Sequence, residues 1–362
     1  MNDIGELKRF VGVHARAQGI DSLAPRVLKR IRHDGDGDPG SWVGEWSDEA
    51  ERLAEQGRLL DASRLFTMAR FPYVDGPARQ KALDGAVAAF DSWRLQTGGI
   101  DELRVELPEG GVRCWTTGLS TTDRKPLLLF MGGIVSTKEQ WAPALTAIGR
   151  LGLAGVVAEL PGVGENTLPY TPESHRMISA VIDAVADRAD TDQTYALALS
   201  FSGHLALRCA GEDPRIRGIV TAGAPVHHFF TDREWLSRVP DVTLDTLSHL
   251  TGISRPTLPD RLPEWAIPAQ RLGEVTVPVA YSASLRDEII PRSDLLHLRR
   301  HLARLSVVQN DDVHGSPRHV AETRLWSISS VLRMHGGRLP QRAAIALALA
   351  AAGLRRRITN RG

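Results

Sequence analysis

Cysteine is almost missing from this chain: Cys114 and Cys209 are the only two in 362 residues. Two thiols neither staple a fold of this size nor make a cysteine zinc site, so a reducing compartment, the cytoplasm, is expected. An excess of charge is missing too. With 44 basic and 43 acidic residues the net charge is +1, which gives no reason to expect a nucleic-acid partner. No long apolar run occurs. The longest, Ala343 to Leu354, is too short to span a bilayer, and no membrane partner is expected. Alanine dominates it and gives little lipid affinity. It therefore reads as a helix packed on the body, its dipole complemented by Arg355, Arg356 and Arg357, rather than as an interfacial membrane helix. Met1 to Gly19 is polar and lacks the apolar segment of a secretory signal. The glycine-rich stretches match neither a dinucleotide fingerprint nor a phosphate loop, so no cofactor is expected.

What is present is a 42% hydrophobic composition, enough for a large core and a second, smaller domain. Residues 1–97 carry helical patterns only. Leu7, Phe10, Val11 and His14 suggest one helix, and Leu23 to Ile31 another. Trp42, Trp46, Ala50 and Leu53 keep helical spacing, as do Leu59, Ala62, Leu65 and Phe66, and Leu83 to Trp93 continues it. After Gly98 and Gly99 the texture changes to eight short β-rich runs: Leu103–Leu107, Val112–Thr116, Pro126–Met131, Gly155–Leu160, Tyr195–Leu199, Gly218–Ala222, Val277–Ser282 and Leu305–Gln309. The first two are split by Pro108-Glu109-Gly110-Gly111, a hairpin signal. Most of the others alternate with helical patterns, which implies an α/β fold with a mainly parallel sheet covered on both faces. The expected organisation is a helical domain over 1–97 and a catalytic domain over 98–362, with a proline-containing helical excursion at 224–273 that could cover a site.

Ser200 stands where an apolar run, Tyr195 to Leu199, meets a helix-compatible stretch, Leu205 to Ala210. A serine on such a strand–turn–helix apex points its hydroxyl away from its own backbone and leaves the next N–H free for an oxyanion. Strand and helix approach closely there, so small residues are wanted two before and two after. Here they are Ala198 and Ser202 rather than glycines. The other register, with Ser202 as nucleophile, would put the His204 imidazole at a small position, so Ser200 is preferred.

A serine nucleophile needs a base and a group to orient it. Both belong just past the C-terminal ends of later strands. Asp287 follows the Val277–Ser282 run, with Glu288 and Asp294 as rival acids. His314 follows the Leu305–Gln309 run, with His319 nearby. The order Ser200, Asp287, His314 is the serine–acid–histidine order of α/β-hydrolases. The second oxyanion N–H is expected from Gly133 or Ile134, in the loop after Met131, with Phe201 as its partner. The same loop also reads as a strand-to-helix turn capped by Ser136 or Thr137. Pro161-Gly162-Val163-Gly164-Glu165 shapes the same rim. His227, His228 and Trp235 open the excursion and are candidates to face a substrate; bracing the cover is the alternative for each, as it is for Trp265. No third ligand at a recognised spacing joins the two histidines, so no metal is expected.

With these residues in place the chain resembles the FrsA-like branch of the α/β-hydrolase superfamily. Trp42, Trp46, Glu51, Gly57, Ala62 and Tyr73 carry the likeness in the helical part. Gly132-Gly133 with Lys138-Glu139, Leu160 to Glu165, Ser200, Asp287 and His314 carry it in the catalytic part. Relatives in that branch include 2,6-dihydroxypseudooxynicotine hydrolase, fungal polyketide-shortening hydrolases and acetate-eliminating enzymes of spirotetronate pathways. The resemblance implies a helical lid over the pocket and a small-molecule substrate. A homodimer stays open. It implies cleavage of an ester or carbon–carbon bond in an acylated or β-dicarbonyl polyketide-type compound, in natural-product biosynthesis. Its alternatives are elimination of acetate from an acetylated tetronate and a non-enzymatic binding role on a hydrolase scaffold.

Overall fold

The computed structural model describes residues 2–336, 343–344, 347–349 and 351–352. The apolar run read as a C-terminal helix, and the arginines after it, lie for the most part outside the described residues.

Five helices come first: α1 (Ile4–Ala17), α2 (Ala24–Leu28), α3 (Trp42–Glu55), α4 (Leu59–Arg70) and α5 (Pro77–Thr97). Their ends follow local chemistry. Ser41 caps α3, its Oγ accepting the Gly44 N–H at 3.0 Å, and the Gly57 turn at φ +74° separates α3 from α4. Pro77 opens α5 and Gly98 follows it at φ +75°. The expected second helix is shorter than its apolar pattern, stopping at Leu28 instead of reaching Ile31. Trp42, Trp46, Leu53, Leu65 and Met68 are fully buried in a common core. Burying each indole is worth roughly 4–6 kcal/mol before entropy is counted.

Eight strands form one sheet in the order β1-β2-β4-β3-β5-β6-β7-β8. They are β1 (Asp101–Leu107), β2 (Gly110–Thr117), β3 (Pro126–Met131), β4 (Ala154–Ala158), β5 (Asp190–Ala198), β6 (Ile216–Ala222), β7 (Val279–Ser284) and β8 (Leu305–Asn310). β1 and β2 form the expected hairpin, and β2 also meets β4 antiparallel; every other pairing is parallel. The continuous apolar sequence of β3 fits its central place, buried on both faces. This is an α/β-hydrolase fold with a helical N-terminal region.

Between Ala224 and Gly273 the chain forms short helices, the longest being α6 (Asp241–Thr251). Phe229, Leu244, Leu247 and Trp265 bury this excursion against the main core. The helical layer touches both. Glu6 of α1 accepts the N–H groups of Asp241 and Val242, and Arg70 at the end of α4 donates to Val135 O in the loop after β3. Among the described residues no helix is long and apolar enough to cross a membrane.

Candidate active site

Ser200 sits between the end of β5 and the helix Phe201–Ala210, at φ 54°, ψ −128°. Such a conformation is costly for a residue with a Cβ and persists only where the surroundings impose it. Here the strands flanking β5, β3 and β6, hold it: the Ser200 N–H donates to Ala222 O at 2.8 Å, and the Leu199 N–H to Met131 O at 2.9 Å. The close approach of strand and helix is made at Gly203. A Cβ there would collide with Thr221 Oγ1 and would stand 2.8 Å from Ala224 Cβ. A crowded position therefore lies three residues after Ser200, beside the small Ser202.

Ser200 Oγ lies 3.2 Å from His314 Nε2, and His314 Nδ1 lies 3.0 Å from both carboxylate oxygens of Asp287. Asp287 Oδ1 also accepts the N–H groups of Ile289 and Ile290, at 3.0 and 2.8 Å, so the carboxylate is held by its own turn. β7 ends at Ser284, two residues later than the apolar run suggested, which brings Asp287 close to the strand end. Burial pulls the His314 pKa down. The charge and hydrogen bond of Asp287, with Glu288 behind them, outweigh it, so the imidazole is more basic than an ordinary histidine.

The rivals are engaged elsewhere. Glu288 Oε2 accepts the His314 backbone N–H at 3.0 Å, so it fixes the loop without touching the ring. Asp294 accepts the N–H groups of Val226, His227, His228 and Phe229 and anchors the start of the excursion. His319 Nδ1 is 3.1 Å from Asp312. Ser202 is buried and donates to Gly132 O at 2.5 Å, which leaves it no access to a substrate.

Gly133 borders the serine: a Cβ on it would stand 3.1 Å from Ser200 Cβ. Among the described residues no acceptor takes the N–H of Phe201, Gly133 or Ile134, so these donors are available to an oxyanion beside Ser200. The loop is not capped as expected. Thr137 occupies the N-cap position of the short helix at Lys138–Trp141, yet no side-chain cap forms there. Instead Glu159 Oε1 accepts the Lys138 N–H at 3.1 Å, and the Lys138 ammonium is buried among Glu139, Glu159 and Glu165 at 2.9, 3.4 and 2.6 Å. This ion cluster ties the loop after β3 to the rim Pro161–Glu165.

The expected substrate-facing residues are not brought to the serine by any hydrogen bond or ring contact among the described residues. His227 stacks on His297 at 4.9 Å, with His228 edge-on, so both brace the excursion. Trp235 Nε1 donates to Ile289 O at 2.8 Å and steadies the turn that carries Asp287. Trp265 is buried against Tyr170 at 5.9 Å. No group of three or more metal-ligating side chains forms among the described residues. Cys114 and Cys209 are buried and burial pushes both thiols up to about 12, which makes them unreactive.

A helical lid is expected over the pocket, but the sequence does not show which of its residues come near. A cavity of about 60 Å³ lies where Arg70, Tyr73, Ile134, Gly162 and His249 meet. His14 of α1 lies in the field of both Arg70 and His314; burial first, then those two cations, hold its pKa down at about 4. A larger hollow of about 890 Å³ is lined by Gln193, Arg217, Pro278 and Leu305 at the opposite, N-terminal ends of β5–β8, away from Ser200.

The family described as Esterase FrsA-like matches residues 40–293. Esterase FrsA of Photobacterium profundum is 25% identical over 282 residues, covering 70% of this chain and 67% of that protein. The chain spans 60% of the FrsA of Vibrio cholerae that it matches. Hydrolase LUC6 of Fusarium sp is 27% identical over 242 residues, 57% of this chain and 56% of that protein. Among solved structures, AbyA5 superposes with a TM-score of 0.94 at 52% identity, covering 97% of this chain and 99% of that one. The 2,6-dihydroxy-pseudo-oxynicotine hydrolase superposes at 0.63 with 19% identity, over 81% and 84% of the two chains, and shares the fold. The family match takes in α3 to α5 and the sheet through Asp287, and on it the chain belongs to the Esterase FrsA-like family of hydrolase-type enzymes.

Proposed function

We propose that this protein is a cofactor-independent serine enzyme that cleaves an ester or carbon–carbon bond in an acylated or β-dicarbonyl, polyketide-type small molecule. The carrying observation is the hydrogen-bonded line from Ser200 Oγ through His314 to Asp287 on a strained turn. Ser200 Oγ attacks the carbonyl carbon while His314 Nε2 takes its proton. The oxygen that gains charge meets the N–H groups of Phe201 and of Gly133 or Ile134. Collapse expels an alkoxide from an ester, or a carbanion stabilised as an enolate from a β-dicarbonyl, and the imidazolium protonates it. Water then releases the acyl group from Ser200 by the same path in reverse roles. Asp287 keeps the Nδ1–H tautomer throughout. The biosynthetic setting rests on sequence kinship alone.

A second reading keeps the site. The basicity of His314 also suits removal of a proton next to a carbonyl, with acetate leaving and a double bond remaining. Product analysis separates the two: an alcohol or a shortened ketone supports cleavage, an alkene with free acetate supports elimination. A fluorophosphonate probe followed by peptide mapping tests both against a binding role. Labelling at Ser200 is expected, and a chain that stays unlabelled with every site residue intact would favour the non-enzymatic reading.

A further inference from the structure

Arg70 is 1% exposed and has no carboxylate within ion-pair distance among the described residues. Its two terminal nitrogens donate to Pro72 O at 2.8 Å and Val135 O at 2.9 Å, and its Nε–H has no acceptor. Carbonyl oxygens satisfy hydrogen bonds but do not neutralise a cation. A buried charge without a counter-charge is expensive, so such groups are normally paired.

The carboxylates whose charge reaches Arg70 or Tyr73, its neighbour in the cavity wall, each have another cation. Glu139 and Glu159 are bound to Lys138, Asp75 to Arg79 at 2.7 Å, and Asp245 to Arg255 at 3.0 Å. Burial, only partly offset by the distant Glu159 and Glu139 charges, lowers the Arg70 pKa to about 10, as an uncompensated cation should behave. The cavity of about 60 Å³ that Arg70 lines has no acidic residue in its wall. Such a space holds on the order of four waters, or one carboxylate with its neighbouring carbon. Ile134, an oxyanion-loop residue, lines the same cavity, and the adjacent Gly133 borders Ser200. The Tyr73 ring, stacked on His249 at 4.4 Å, forms the far wall.

We propose that Arg70 binds an ionised acidic oxygen of the substrate, a carboxylate or an enolate, in this cavity, so that the site selects an anionic acyl compound over its neutral counterpart. This rests on Ser200 being the reacting group. Planar guanidinium geometry matches such two-oxygen anions, and the shortage of competing water inside the protein strengthens the pair. Arg70 also links α4 to the oxyanion loop through Val135, so a purely structural role is the alternative that the test must separate.

Binding is read by calorimetry on full-length Ser200→Ala protein, which cannot turn over. The probes are mono-4-nitrophenyl succinate against its methyl ester, and tetronic acid against its O-methyl ether. At least one of the two acids is expected to bind at least tenfold tighter than its neutral partner. Adding Arg70→Gln should abolish that preference, and Arg70→Lys should keep part of it. Equal binding of acid and neutral forms, no binding of either, or an equal loss for both in Arg70→Gln, would overturn the proposal. The two acids distinguish a carboxylate from an enolate ligand. If Arg70→Gln does not fold, as judged by circular dichroism, wild-type protein decides. Succinate or tetronate should slow fluorophosphonate labelling of Ser200, and their methylated forms at the same concentration should not; equal protection overturns the idea. A wild-type chain that takes no label defeats the serine mechanism, while the calorimetric preference stands or falls by itself.

Discussion

Glu6 caps the helix that begins at Asp241: its carboxylate accepts the Asp241 backbone N–H at 3.0 Å and the next one, of Val242, at 2.8 Å. Val242 in turn is buried in the core of the helical layer. The first helix of the chain is therefore tied to the 224–273 excursion, across a sequence separation of 235 residues. Glu6→Ala removes a charged cap and should lower stability by about 1–2 kcal/mol. Hydrogen exchange should show faster opening of Asp241–Thr251 in particular. Unchanged protection there would mean that packing alone fixes α6.

Removing residues 1–97 should do far more. It uncovers the face that buries Val135 and Val242 and deletes Arg70 and His14. An apolar patch of that kind is an aggregation hazard, and the site would also lose its shield from water. An insoluble or inactive core is expected. A soluble truncated protein with full activity on the native substrate would refute a lid role for the helices.

The two serines of the elbow have different work. Ser200→Ala should abolish covalent labelling and slow turnover by roughly 10^4 to 10^6, because nucleophile and base act as a unit. Ser202→Ala removes a buried hydrogen bond to Gly132 O, a change worth about 1–2 kcal/mol of stability, and should leave labelling intact. Loss of labelling in Ser202→Ala with retention in Ser200→Ala would reverse the assignment.

In the proposed mechanism His314 must be neutral to accept a proton, so activity should rise with pH through its pKa. That pKa is raised from 6.5: burial opposes the charged form, but Asp287 and then Glu288 overcome it, while His14 stays neutral nearby. Asp287→Asn removes the orienting charge and should slow the rate by about 10^4 while the fold persists. Glu288→Gln should be mild in maximal rate, yet move the acid limb of the kcat/KM profile to lower pH, since less positive charge is then stabilised on the ring. A limb that stays put would show that Glu288 contributes only through the His314 N–H.

Much of this was legible in the chain. Strands separated by helical patterns gave the sheet, and Ser200, Asp287 and His314 each follow a strand end, where an open α/β sheet exposes side chains. Residues whose role depends on distant partners were not. Lys138 and Glu165 stand in turn-forming stretches and Glu159 near the end of a β-rich run, yet they meet in a buried cluster. Arg70 simply follows an apolar helical pattern, and His14 is one position of another. Nothing local announces that both point toward the site. His227 and His228 drew attention as paired imidazoles, but their ring partners lie on the later helix Arg292–His301, which sequence spacing does not reveal.

Gly203 is where the elbow geometry can be tested without touching a reacting group. Small residues are expected two before and two after Ser200, and Ala198 and Ser202 stand there in place of glycines. Gly203, one residue further on, is closely approached in the structure. A methyl at Gly203 would overlap Thr221 Oγ1 and press on Ala224 Cβ at 2.8 Å and on Ala198 O at 3.0 Å. Two of those contacts are fixed by strand β6 and its loop, and the third is backbone of β5, so little can yield. Gly203→Ala should therefore cost about 3 kcal/mol or more and move the helix away from the strand, misplacing the Phe201 N–H and Ser200 Oγ together. Ser202→Gly, by contrast, should lose only the hydroxyl's bond to Gly132 O and keep the site competent. Thermal denaturation with fluorophosphonate labelling rates checks both. A Gly203→Ala protein with wild-type stability and labelling would mean that the elbow is wider in solution than these contacts allow.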